Sequence, residues 1–122
     1  MAYQSFEKLE VWKRACRLAV EVCQTLAKSK QYVLKDQMQR AAISIPSNIA
    51  EGSERDSKQD FIRFLRIAKG SAAELRTQTY IALKLELLTK DEAENFVNET
   101  KEISAMLQGL IRSLSPKLKT EN

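Results

Sequence analysis

Apolar residues recur at steps of three and four in this chain, run after run, from Leu9 to Leu114. The first run is Leu9, Trp12, Cys16, Ala19, Cys23 and Leu26, with Val11, Ala15, Leu18 and Val22 as a second stripe beside it. The second run is Leu34, Met38, Ala41, Ile45 and Ile49. The third is Phe61, Leu65, Ala68, Ala72, Leu75, Thr79 and Ala82. The fourth is Ala93, Phe96, Thr100, Ile103, Leu107, Leu110 and Leu114. Side chains at these steps share one face of a helix, whereas a half-buried strand would alternate. Only three glycines and two prolines punctuate 122 residues, so the helices must be long and the turns few. Four helices with one apolar side each can bury those sides only against one another. Short connections make consecutive helices antiparallel neighbours. The expected fold class is therefore all-α, an antiparallel up-down-up-down four-helix bundle over residues 6–114, followed by a disordered tail over 115–122.

Local signals place the boundaries. The first helix is expected over Phe6 to Ala27 and the second over Leu34 to Glu51, with Pro46 kinking it near Ala42 to Pro46. Ser44, Ser47 and Asn48 can supply polar partners at that kink. Gly52 is expected to close the second helix in the left-handed conformation. Asp56 or Ser57 caps the third helix, expected over Lys58 to Leu87. Gly70, Ser71, Ala72 and Ala73 thin its middle and admit a close neighbour. Thr89 and Glu92 form a capping box for the fourth helix, which Pro116 ends.

Composition removes most chemistry. The chain has no histidine, which excludes Ser-His-Asp and Cys-His nucleophile systems and di-iron bundles built on Glu-x-x-His. Cys16 and Cys23 sit seven residues apart, about 10 Å along a helix, too far to bridge each other. They read as small buried hydrophobes in a reducing compartment. Glu51, Glu54, Asp56 and Asp60 cluster at the second turn, but Arg55 and Lys58 interleave with them. The acids also suit the positive end of a helix better than a metal. Glu51 and Glu74 could instead be buried carboxylates paired with Arg40 or Arg76. No catalytic residue, metal or cofactor is expected. No secretory signal or membrane-spanning run is visible, so a cytoplasmic protein with no membrane partner is expected.

Charge offers the remaining candidate. The net charge is +4, with 14 Lys and Arg against 9 Asp and Glu through Arg76, and 6 against 7 beyond it. Arg63, Arg66 and Lys69 fall at successive three-residue steps of the third helix, and Lys13, Arg14 and Arg17 share a side of the first. If those sides adjoin, a phosphate backbone could track along all six. Tyr3, Tyr32 and Tyr80 are scattered and make no stacking platform, so binding would be led by charge and shape.

A resemblance adds to this. Ser44-Ile45-Pro46-Ser47-Asn48-Ile49-Ala50-Glu51-Gly52, Asp60-Phe61, and Phe64-Leu65-Arg66-Ile67-Ala68-Lys69-Gly70-Ser71-Ala72-Ala73-Glu74-Leu75, together with Phe6-Glu7-Lys8-Leu9-Glu10-Val11-Trp12, resemble the four-helix bundle family encoded by intervening sequences in bacterial 23S rRNA genes. The likeness spans Phe6 to Leu114. More distantly, the chain is similar to the accessory protein of diversity-generating retroelements, a pentameric helical barrel whose basic surface binds nucleic acid and a reverse transcriptase. The resemblance implies the bundle fold and a homo-oligomer, with five copies favoured. It implies no biochemical activity for the intervening-sequence proteins. One departure stands out: such proteins usually carry a glycine between the third and fourth helices, where this chain reads Leu85-Glu86-Leu87-Leu88.

The expected function is non-enzymatic binding of nucleic acid, RNA first with DNA as the other candidate, by an oligomeric bundle through Lys13, Arg14, Arg17, Arg63, Arg66 and Lys69. The alternative is a protein-interaction scaffold that docks a partner protein on the kinked face of the second helix.

Overall fold

The computed structural model describes residues 5–115. A 3-10 turn over Phe6–Lys8 precedes α1 (Glu10–Leu26), α2 (Tyr32–Ser53), α3 (Lys58–Lys84) and α4 (Lys90–Ser113), with no strand among the described residues. The expected first helix is thus broken at Leu9. Phe6 on the 3-10 turn meets Trp12 edge to face, with ring centroids 5.3 Å apart. The expectations for the lead-in before Ser5, for Pro116 and for the tail beyond it lie outside the described residues.

Each helix packs closely against the next, and α1 also packs against α4, but the backbones of α1 and α3, and of α2 and α4, do not come close. The four therefore stand at the corners of a square. Every neighbouring pair is antiparallel, because contacts that climb one helix descend the other. Ser44 meets Ser71 and Gly52 lies against Phe64; Arg14 binds Glu99 and Asn95 binds Glu21.

The core runs down the middle of the square. Fully buried Leu18, Met38, Ile45, Ile49, Leu65, Leu75, Phe96, Ile103 and Leu107 fill it, at about 1.5–3 kcal/mol each. In α1 the two stripes exchange roles. Val11, Ala15, Leu18 and Val22 are buried with Ala19 and Leu26, while Trp12, Cys16 and Cys23 are half-buried on the flank. Both cysteines are free thiols, and burial pushes the Cys16 thiol up from its ordinary pKa. No helix among the described residues is long and apolar enough to cross a membrane.

Three backbone expectations are corrected. Gly52 does not take the left-handed conformation; no glycine here does. It lies inside α2, which continues to Ser53, and α3 crosses so closely that an added Cβ would stand 2.6 Å from the Phe64 Cβ. Close approach, not dihedral freedom, requires glycine there. Gly70, expected to admit a neighbour, is exposed with nothing near it; Ser71 and Ala72 make the contact instead. Finally, α3 stops at Lys84, three residues early. Glu86 adopts φ 61°, the Leu87 N–H donates to the Ala82 carbonyl at 2.9 Å, and the Glu86 N–H donates to the Leu83 carbonyl at 3.0 Å. That is a Schellman ending with glutamate in the glycine position, at a cost of about 1 kcal/mol.

The remaining caps form as expected. Ser57 Oγ accepts from the Asp60 N–H at 3.1 Å, and Thr89 and Glu92 satisfy each other's backbone donors. α2 continues without a break in helix on both sides of the buried Pro46. Beside it Asn48 Nδ2 donates to the Ser44 carbonyl and to Ser44 Oγ, which is bonded in turn to Ser71 Oγ at 2.8 Å. Ser47 points outward and takes no part.

Candidate nucleic-acid interface

The six basic residues singled out by their spacing do not form one surface on a protomer. Alternate helices of an up-down bundle occupy diagonal corners, so the trio on α1 and the trio on α3 are separated by the neighbouring helices.

Within each trio the side chains meet different fates. Arg14 turns toward α4 and clasps Glu99 with two bonds of 2.9 Å, from Nε to Oε1 and from Nη2 to Oε2. Its Nη1 lies 3.6 Å from Met106 Sδ. Both members of the pair are about three-quarters covered, with side-chain exposures of 27% and 25%. The bond to Glu99, helped by the charges of Glu99, Glu102 and Glu10, holds the Arg14 guanidinium above its ordinary pKa. Arg14 therefore ties two helices together and has no spare donor fork for a phosphate. Lys13 is exposed and rests 3.7 Å from Glu10, while exposed Arg17 has no ion pair among the described residues.

On α3, Arg63 stands 3.6 Å from Asp60 and 4.7 Å above the Phe64 ring, which Arg55 approaches to 4.9 Å. Arg55 is also paired with Glu51. At this tip of the α2–α3 hairpin Glu51 and Asp60 are paired with arginines, and Glu54 and Asp56 are exposed rather than gathered around a cation. Among the described residues no three potential ligands converge on a metal position. Arg66 is exposed without an ion pair, and Lys69 Nζ donates to Gln108 Oε1 of α4 at 2.8 Å.

The expected buried carboxylate network does not form. Glu74 and Glu51 are exposed on the outer sides of their helices, and Arg40 pairs with Asp36 one turn away. The helical stripe of α3 is narrower than the run of small residues suggested, so position 74 falls outside it.

Lys69 reaching α4 was not legible from α3 alone. The signal was present in the seven- and four-residue spacing of Lys101, Gln108 and Arg112 on the fourth helix, which the chain-half charge count conceals.

These features can be set beside known proteins. A crystal structure described as a protein with unknown function from the S23 ribosomal protein family of Bacteroides thetaiotaomicron VPI-5482 superposes with a TM-score of 0.78 at 28% identity, covering 83% of this chain and 97% of that one. The comparison with curated proteins gives no match. The family described as 23S rRNA-intervening sequence protein matches residues 7–109, which include all four helices up to the last turn of α4. On that match, the chain belongs to the 23S rRNA-intervening sequence protein family.

Proposed function

We propose that this protein works without catalysis, as a binder of nucleic acid, with RNA as the polyanion. The observation that carries this reading is the state of Arg66 and Lys69. They stand side by side on α3 with no carboxylate partner among the described residues, in a chain whose net charge is +4. The absence of histidine removes the commonest general base, and two of the acids that cluster in sequence, Glu51 and Asp60, are paired with arginines. The family description, with its 23S rRNA intervening sequences, supports RNA over DNA.

A salt series tests the reading. Each neutralised phosphate contributes about 0.7–0.9 to the slope of log affinity against log salt. A site with four or five phosphate contacts loses roughly a hundredfold or more in affinity between low and physiological salt. Fluorescence anisotropy on a short RNA duplex reads this directly. Binding that is undetectable at low salt, or insensitive to salt, overturns the reading.

A second reading, a protein-interaction scaffold or self-associating bundle, has its own observation. Val20 on α1 and Ile43 on α2 are 54% and 50% exposed, and with Ala19, Cys23 and Gln24 they line a hollow of about 290 Å³ between the two helices. Two large aliphatic side chains on adjoining helices make an apolar spot that a second copy can cover. The likeness to a pentameric barrel supports self-association over a foreign partner.

A further inference from the structure

Two acids of α4, Glu99 and Glu102, lie on the edge toward α1, and Gln108 lies on the other. Glu99 binds Arg14 of α1, and the charge of Glu102 also acts on that guanidinium, so the acidic edge of α4 serves α1. Gln108 meets Lys69, and Lys90, Ala93, Glu94 and Val97 share a hollow of about 190 Å³ with Tyr80 and Leu83, so the other edge faces α3. These two contacts fix the antiparallel register of α3 against α4 along its length.

That register places further cations opposite one another. Arg76 is seven residues beyond Lys69 and Lys101 is seven before Gln108, two turns in each case, about 10 Å. They therefore flank the same groove at the same height. In the other direction, Arg66 is three residues before Lys69 and Arg112 four beyond Gln108, which puts that pair level to within about 2 Å. Arg66, Lys101 and Arg112 are exposed and Arg76 is half-buried, and none has an ion pair among the described residues. Between the two tiers stand exposed Ala73 and Ala105, too small to block the interval. The nearest acids in sequence, Glu74 and Glu102, are turned toward the far edges of their helices by helical phase.

We propose that the groove between α3 and α4 is the seat of an RNA phosphate backbone, gripped by Arg66, Lys69 and Arg76 from one wall and by Lys101 and Arg112 from the other. This rests on the RNA-binding reading above, and residues of α4 take the place of the α1 trio expected from the sequence. Charge complementarity selects the occupant. Five cations over about 15 Å of groove, with no carboxylate between them, suit a ligand carrying closely spaced negative charges. No row of aromatic rings lines the walls, so the contact is to backbone and is indifferent to sequence.

The test compares three double variants of the full chain with the unaltered protein, using a short RNA duplex and anisotropy across a salt series. Arg76→Gln with Lys101→Gln, and separately Arg66→Gln with Arg112→Gln, are each expected to weaken binding at least tenfold and to flatten the salt slope by about two contacts' worth. Lys13→Gln with Arg17→Gln is expected to leave both unchanged. The second groove variant alters only exposed positions, so it keeps the test valid if loss of half-buried Arg76 disturbs folding. Weakening confined to the α1 variant, or equal in all three, overturns the groove while leaving RNA binding standing. Failure of the unaltered protein to bind at low salt overturns both.

Discussion

Gly52 and Gly70 look alike in the sequence and play opposite parts in the molecule. At Gly52 a Cβ would meet the Phe64 Cβ at 2.6 Å and the Phe61 ring at 3.1 Å, so α2 and α3 must part to admit it. Gly52→Ala is expected to lower stability by about 1–3 kcal/mol. At Gly70 nothing lies within 4 Å and the position is mid-helix, where glycine is the weaker helix former. Gly70→Ala is expected to raise stability by roughly 0.5–1 kcal/mol. Urea denaturation of the two variants checks both signs, and equal effects would contradict the packing at the hairpin tip. Neither outcome follows from composition, because the difference lies in what stands opposite.

At the scale of helices, α1 and α4 are joined across their seam by polar ties as well as by the core. The Arg14–Glu99 clasp has two charged bonds and is about three-quarters covered, a geometry in which charge-assisted pairs contribute about 1.5–3 kcal/mol. A double-mutant cycle with Arg14→Ala and Glu99→Ala measures it. A coupling of at least about 1 kcal/mol is expected, and a coupling near zero would mean that the pair is no better than a surface contact. The four helices and most of their buried faces were legible because period and capping are local properties. Ser57, Thr89 and Glu92 announced two helix starts, and Met38, Ile45, Leu65, Leu75 and Ile103 announced the core. What remained hidden depended on neighbours. The flank of α1 could not be told from its core, since both stripes are apolar. The α3 end could not be placed, since a glutamate does a glycine's work at Glu86. The basic trios could not be assigned to a common surface, since diagonal placement is a property of the square and not of either helix. Lys101 and Arg112 were masked by acids that helical phase sends to the other edge.

As a whole the molecule presents two kinds of surface on different seams. The α1–α2 side is apolar around Val20 and Ile43, and the α3–α4 side carries exposed Arg66, Lys101 and Arg112 along one stretch and the hollow beside Tyr80 and Leu83 along the other. If the apolar side joins copies, Val20→Glu with Ile43→Glu is expected to reduce the particle mass by light scattering while leaving the helical circular dichroism intact. An unaltered protein that is monomeric at every concentration would overturn self-association through that hollow. The square also has a kinetic consequence. Three of its sides are spanned by turns of a few residues, but the Arg14–Glu99 side joins positions 85 apart in the chain. Loop closure over so long a separation is the costlier step, so that side assembles after the hairpins. Hydrogen exchange is expected to find such a bundle opening like a book with its spine at α2–α3, first where the first and last helices meet.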